Sequence, residues 1–382
     1  MLDPTRLELS GDRLAAVYRL DEASTDAAKA LAAHICVEQT VEFPADLIPP
    51  DDDISTQIIG RIEHFDRYDD HTHHVTISYA VECTAYQLPQ LVNVLFGNIS
   101  LLPGIRLEAL ELPESLLAAF PGPRFGVAGL RERFGVADRP MLATALKPMG
   151  IPLETLAAMA YDFAAAGIEI IKDDHGLASQ PFADFRRRVE LCAASIARAN
   201  TDHGTSAAYF PSLNVPADEV FASARFVRDC GATGMMVLPG LQGYDTARAL
   251  AADDDLSLMM LAHPALLGAL TSPHNHGIGH GVVFGTLMRL AGADVSVFPN
   301  HSGRFSFTPS QCTQIATALS APLGALNPAF PAPAGGMSVE RIPEMVGFYG
   351  NDLILLIGGA LHRGSRQELA RAMRETVISV TS

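Results

Sequence analysis

From residue 140 onward, short runs that are apolar at nearly every position alternate with longer stretches whose apolar residues recur every three or four positions. The short runs fall at 141–146, 168–171, 205–210, 234–238, 257–262, 294–298, 323–330 and 352–357, with helical stretches such as Leu153 to Ala166 and Pro216 to Arg228 between them. A strand that is apolar throughout needs cover on both faces, so repeated strand, loop and helix units predict a parallel (β/α)8 barrel over 140–382. Its seventh strand carries the weakest signal, because prolines between Asn327 and Pro333 remove ladder donors. Residues 12–112 have another rhythm: strands at Arg13–Leu20, Cys36–Phe43, Gln57–His64, His74–Val81 and Ile105–Leu112, and helices at Ala23–Ile35 and Leu88–Leu95. Two helices on one face of an antiparallel sheet make a ferredoxin-like α+β domain, placed here over 1–113. Residues 114–139, with Pro121-Gly122-Pro123 and Gly126, read as a linker.

The chemistry gathers at the ends of predicted barrel strands. Gly167-Ile168-Glu169-Ile170-Ile171 runs into Lys172-Asp173-Asp174-His175, and the preceding strand ends at Lys147. Only three lysines occur, Lys29, Lys147 and Lys172, so arginine carries nearly all the positive charge and a lysine at a strand end is unusual in this chain. Barrels place their chemistry on the rim where strands end, and adjacent strands bring both lysines there. The plain alternative is that each is an ordinary ion-paired side chain. Two glycine pairs, Gly335-Gly336 and Gly358-Gly359, follow strands seven and eight, the loops that cradle phosphate in such barrels. His263 ends strand five, where it is either a substrate contact or a strand cap. His274, His276 and His280 read as a polar loop, and His71, His73 and His74 beside Asp69 and Asp70 as a solvated hairpin.

Charge narrows the partners. With 43 acidic against 27 basic side chains, net −16, the chain suits neither nucleic acid nor an anionic membrane, although a local positive site for an anionic substrate is still allowed. Five scattered cysteines without CxxC spacing predict reduced thiols and a cytoplasmic protein. No signal peptide is evident, and no apolar stretch reaches the roughly 18 residues of a membrane span.

Lys147-Pro148 with Gly150, then Ile171-Lys172-Asp173-Asp174, then Ser179-Gln180-Pro181-Phe182, resemble the active-site segments of the ribulose-bisphosphate carboxylase (RuBisCO) large subunit, with details similar to its non-carboxylating RuBisCO-like, form IV branch. The resemblance implies that Lys172 is carbamylated by carbon dioxide and binds Mg2+ together with Asp174. His175 stands where the family has glutamate, which suits Mn2+ or another transition ion better. It implies that Lys147 stabilises an enolate, that His263 meets substrate hydroxyls, and that His301 and the two glycine pairs contact substrate and one phosphate. In the N-terminal domain, Glu38 and Asn98 match residues that a subunit lends to its neighbour's barrel, so a homodimer with shared sites is implied.

Departures from the pattern shape the expected reaction. Pro264 replaces the arginine that grips a second phosphate, and no lysine follows Lys172, so the mobile-loop lysine of carboxylases is missing. The resemblance therefore implies a metal-dependent enzyme that enolises a monophosphorylated sugar or keto-acid without fixing carbon dioxide. Its outcomes are 5-methylthioribulose-1-phosphate isomerisation, the methionine-salvage enolase step, or, as a lyase, decarboxylation of 3-oxo-isoapionate 4-phosphate. A non-catalytic regulatory barrel is the alternative of another class.

Overall fold

The computed structural model describes residues 6–381. They form two compact units: residues up to Phe120 with Leu267–Val283 and Pro322–Leu326, and the remainder from Pro121 onward.

The first unit runs β1 (Arg13–Asp21), α1 (Thr25–Glu38), β2 (Arg61–Arg67), β3 (Thr72–Ala80), α2 (Leu88–Phe96), β4 (Ile105–Glu111) and α3 (Glu114–Leu117). Strands β4-β1-β3-β2 pair antiparallel, the ferredoxin-like order. Along β1, Leu14, Ala16, Tyr18 and Leu20 are buried while their neighbours are not, the alternation of a sheet covered on one face. The strand expected over Cys36–Phe43 is absent. Ser24 caps α1 by accepting from Ala27, and the buried stripe Ala28, Ala32, Ile35 and Cys36 keeps helical period through Glu38. Val37 to Glu42 imitates strand alternation, but Ile35 and Cys36 are already committed to the helix face.

The second unit contains α4 (Gly126–Phe134), β5 (Met141–Leu146), α5 (Leu153–Ala165), β6 (Ile170–Asp173), α6 (Phe185–His203), β7 (Ala208–Phe210), α7 (Val220–Asp229), β8 (Gly234–Val237), α8 (Pro239–Gln242), α9 (Tyr244–Ala252) and β9 (Met259–Ala262). After α10 (Gly268–Thr271) and β10 (Gly277–Ile278), which belong to the first unit, it resumes with α11 (Leu287–Leu290), β11 (Val295–Pro299), α12 (Pro309–Ser320), β12 (Phe330–Ala334), α13 (Ile342–Tyr349), β13 (Ile354–Leu356) and α14 (Arg366–Thr381). Its strands form two parallel four-stranded sheets, β13-β5-β6-β7 and β8-β9-β11-β12. A bridge between Ser212 and Met236 joins β7 to β8. This is the parallel α/β barrel.

Strand seven lies at Phe330–Ala334 rather than 323–330, and the proline-rich segment is itself the strand. Phe330 donates to Asp294, so the β11-facing side keeps its donors, whereas Pro331 and Pro333 alternate with it and have none. Accordingly no ladder joins β12 to β13 among the described residues. The expected linker is structured as well: Leu130, Phe134 and Val136 are buried with the inward residues of the barrel strands. Asp294 fixes its entry by accepting from the backbone N–H groups of Phe125 and Gly126, both at 2.8 Å.

Part of the expected barrel span packs elsewhere. Residues 271–280 join the first unit, where β10 adds to the edge of β4 and the buried Arg106 donates to the carbonyls of Pro273 (2.8 Å) and His276 (3.0 Å).

Candidate functional site

Residues facing the barrel interior alternate along each strand: Ala143, Ile170, Phe210, Met236, Leu261 and Leu356 all lie in the inner cluster. Carrying that parity past the C-terminal strand ends selects Lys147, Lys172 and Asp174, Ser212, His263 and Gly358. The fold therefore delivers most of the expected residues to one mouth through the period-two geometry of its strands.

Lys172 is 3% exposed. Its ammonium donates to the Asp173 carbonyl at 2.8 Å and to the Met236 thioether at 3.4 Å, a sparse shell for a buried cation. Burial pushes its pKa down to about 8; Lys147 adds to the fall and Asp174 and Asp173 oppose it. Met236 was not foreseen, although its place in the inner alternation of β8 is legible once the barrel is closed.

Asp174 pairs with Lys147 at 2.8 Å. Burial opposes its ionisation, but the Lys147 hydrogen bond, the Gly176 N–H and the charges of both lysines prevail and hold its carboxyl at about 2. The Nδ1 of His175 lies 3.4 Å from Asp174, and its ring stacks on His263 with centroids 4.5 Å apart and planes 9° apart. Burial lowers the His175 pKa; Asp174 opposes this, while Lys172, Lys147 and Arg304 add to it. His263 is pushed far below its usual range by burial and then by Lys172 and His175. Its Nδ1 faces the Ala265 N–H at 3.2 Å, which assigns the ring proton of the neutral form to Nε2. The Lys147 ammonium also lies over the Gly358 turn, 3.8 Å from the position a Cβ would take there.

Among the described residues, no three of His, Cys, Asp and Glu are placed to hold a metal ion. A carbamate on Lys172 would enlarge the donor set, since an oxygen anion at the tip of that side chain would stand with Asp174 and His175 as two oxygen donors and a nitrogen. The donor chemistry then fits a divalent cation such as Mg2+ or Mn2+. The sparse shell of the Lys172 ammonium, which contains no carboxylate contact, fits a side chain that reacts as the free amine.

Behind this row, the Asp173 carboxylate accepts from Arg188 Nε (3.0 Å), Tyr209 OH (2.7 Å) and Ser212 N (3.0 Å) in a buried network that holds the end of β6. The sequence offers Asp173 only as a possible partner of Lys172; the structure gives it this separate, supporting role.

Gly335 and Gly336 adopt φ of +87° and +96°, which only glycine occupies without strain. Their N–H groups, like those of Gly358 and Gly359, donate to no backbone or side-chain acceptor among the described residues. His301 is buried, its Nε2 unpartnered and its ring 4.6 Å from Phe348.

Glu38 and Asn98 lie in the first unit, where Asn98 donates to the Glu38 carboxylate at 3.0 Å. Buried Gln39 braces them, donating to the Asn93 (2.9 Å) and Val94 (2.8 Å) carbonyls and accepting from Ile99 N. His73 departs from the expected solvated hairpin: it is fully buried in β3, because its strand parity matches Val75 and Ile77. Around His280, burial and the Arg106 charge depress the imidazole pKa to about 4, the environment of a packed loop held by an arginine. No helix among the described residues is long and apolar enough to cross a membrane.

The family model described as "Ribulose bisphosphate carboxylase large chain, catalytic domain" matches residues 126–300. The chain is 39% identical to the 5-methylthioribulose-1-phosphate isomerase of Rhodospirillum rubrum, over 92% of this chain and 91% of that protein. It is 32% identical to the 2,3-diketo-5-methylthiopentyl-1-phosphate enolase of Geobacillus thermodenitrificans, over 75% of this chain and 70% of that one. Among solved structures, the RuBisCO-like protein from Rhodopseudomonas palustris superposes with a TM-score of 0.87 at 34% identity, covering 96% of this chain and 98% of that one.

Proposed function

This chain belongs to the ribulose-bisphosphate carboxylase large-chain family, and from that premise we propose that it is a non-carboxylating enzyme that enolises a monophosphorylated ketose, with 5-methylthioribulose 1-phosphate isomerisation as the leading reaction. The observation that carries this reading is the barrel mouth itself: the Lys147 and Asp174 pair at 2.8 Å, the buried Lys172 beside it, and the His175 and His263 stack. The isomerase takes precedence over the enolase because the isomerase relative is matched at higher identity and over more of its length.

In this reading Lys172 reacts as its neutral amine with carbon dioxide. The ammonium first gives one proton to solvent; the amine lone pair then forms the N–C bond as one C=O π pair of carbon dioxide moves onto oxygen, and a second proton leaves the nitrogen, so that overall a cation becomes an anion. Carbamylated Lys172, Asp174 and His175 would hold a divalent cation, Mg2+ or Mn2+, which supplies Lewis-acid polarisation of a substrate carbonyl. Lys147 presents an ammonium to the oxygen on which enolate charge develops and can return a proton to carbon. His263, neutral and protonated on Nε2, donates towards substrate hydroxyls. The free N–H groups of Gly335, Gly336, Gly358 and Gly359 receive the phosphate.

Pro264 offers no charge to a second phosphate, and the absence of lysine after Lys172 leaves an incoming carboxylate without that partner. In the ferredoxin-like unit, Glu38 and Asn98 are proposed to complete the barrel site of a second copy, so the active form is a homodimer. Cytoplasmic residence fits the scattered thiols, of which Cys36, Cys192 and Cys312 are buried.

The test is NMR in deuterium oxide with 5-methylthioribulose 1-phosphate, 2,3-diketo-5-methylthiopentyl 1-phosphate and ribulose 1,5-bisphosphate. The first should isomerise or exchange its carbon-bound proton, and labelled bicarbonate should not enter product from the bisphosphate. Label incorporation at a rate comparable with that exchange, or no turnover of any phosphorylated ketose, would overturn the reading. Decarboxylation of 3-oxo-isoapionate 4-phosphate passes through the same enediolate and would appear as carbon dioxide release.

A further inference from the structure

We propose that Arg304, in the loop after β11, recognises the substrate's phosphate beside the Gly335–Gly336 turn; the inference rests on the reading of that turn as a phosphate cradle. The loops after β11 and β12 are stitched together at this point. Asn300 N donates to Ala334 O at 2.9 Å and Arg304 N to Gly335 O at 3.1 Å. A Cβ on Gly303 would fall 2.2 Å from Gly335 O, so only glycine lets the two backbones approach. Arg304 is thereby anchored at its backbone against a turn whose own N–H groups are free.

Its charge is free too. Arg341, which reaches the same loop at the His301 and Ser302 carbonyls, is held bidentately by Glu344, with Nε and Nη2 each donating at 3.0 Å. Arg304 forms no ion pair among the described residues and is exposed. Its guanidinium lies over the Phe305 ring, 4.9 Å from the centroid, and that ring in turn packs on Gly335, with Cδ2 2.9 Å from where a Cβ would be. Phe305 is 50% exposed. An exposed aromatic is a poor core residue but a good shelf for a planar cation, and stacking leaves the in-plane N–H edge of the guanidinium open. That edge matches the oxygens of a phosphate monoester, which accept two parallel hydrogen bonds.

The combination of two free glycine amides and one stacked, uncommitted guanidinium suits a phosphate dianion better than a neutral sugar. Inorganic phosphate is the probe, titrated by calorimetry at low salt into the full chain. The wild type should bind it, Arg304→Met about tenfold more weakly, and Arg304→Lys between them, because a point charge lacks the fork. Phe305→Ala should reproduce part of the loss, and Arg187→Met, on an exposed helix face, none of it. If Arg304→Met binds phosphate as the wild type does, the inference fails while the cradle stands. If the wild type binds none, cradle and inference fall together.

Discussion

Replacing Asp173 by alanine should destabilise the barrel unit much more than replacing its partner, Arg188, by methionine. Both side chains are fully buried and 3.0 Å apart. Loss of the carboxylate strands a guanidinium that cannot shed its proton, with the Ala178 (2.7 Å) and Ala183 (3.0 Å) carbonyls as its remaining partners. Breaking a buried pair in this way costs about 3–5 kcal/mol. Tyr209 OH and Ser212 N lose their acceptor as well, which places the cost at the top of that range, about 5 kcal/mol. Arg188→Met instead leaves a carboxylate that keeps those two donors and can protonate, for about 2–3 kcal/mol. Urea unfolding followed by circular dichroism suits a chain without tryptophan. With a slope of about 3 kcal/mol per molar, Asp173→Ala should move the midpoint by ~1.5 M and Arg188→Met by less than ~1 M. The double variant should recover about 2 kcal/mol relative to the sum of the single losses. An Asp173→Ala cost below about 1 kcal/mol, or equal costs for the two variants, would refute the reasoning.

Three further outcomes follow from the same geometry. Carbamate formation on Lys172, read by NMR with 13C-bicarbonate, should rise as pH climbs through about 8, because the amine is the nucleophile and its proton is lost there; Lys172→Arg should show no signal at any pH. Lys147→Met should raise the Asp174 pKa from about 2, seen by carboxyl 13C titration. The stability this pair contributes, about 1–2 kcal/mol, is present above the unfolded carboxylate pKa near 3.8 and lost as pH falls through the folded value, so the two proteins should differ at pH 6 and converge towards pH 2; a constant difference would contradict the assignment. Mixing Lys172→Ala and Asn98→Ala subunits, each inactive alone, should restore part of the activity by forming one intact hybrid site, and no recovery in subunits shown to exchange would argue against a shared site.

The chain by itself announces much of this. Short runs that are apolar at nearly every position and alternate with helical stretches read as strands covered on both faces, so the barrel is legible, and polar residues ending such runs at Lys147, Lys172 and His263 mark the rim. Three readings failed where local pattern and packing compete. Cys36 to Phe43 alternates like a strand, yet Ile35 and Cys36 extend the buried stripe of α1. Phe330–Ala334 looks unfit for a sheet, yet its prolines fall on alternate positions, away from the donors given to β11. His73 sits in a polar cluster in sequence, yet its strand parity buries it.

What only the tertiary structure decides is which groups share a charge or a void. Met236, 64 positions from Lys172, becomes its neighbour because two strands of a closed barrel point inward at one level. Asp173 binds Arg188, Tyr209 and Ser212 because its side chain faces the helices rather than the mouth. Arg304 meets Gly335 because Gly303 lets two loops touch. Periodicity along a strand depends on each residue's nearest neighbours and can be read in one dimension. Lowering a lysine's pKa, satisfying a buried carboxylate or aiming a guanidinium depends on distances across the chain, and these exist only once it has folded.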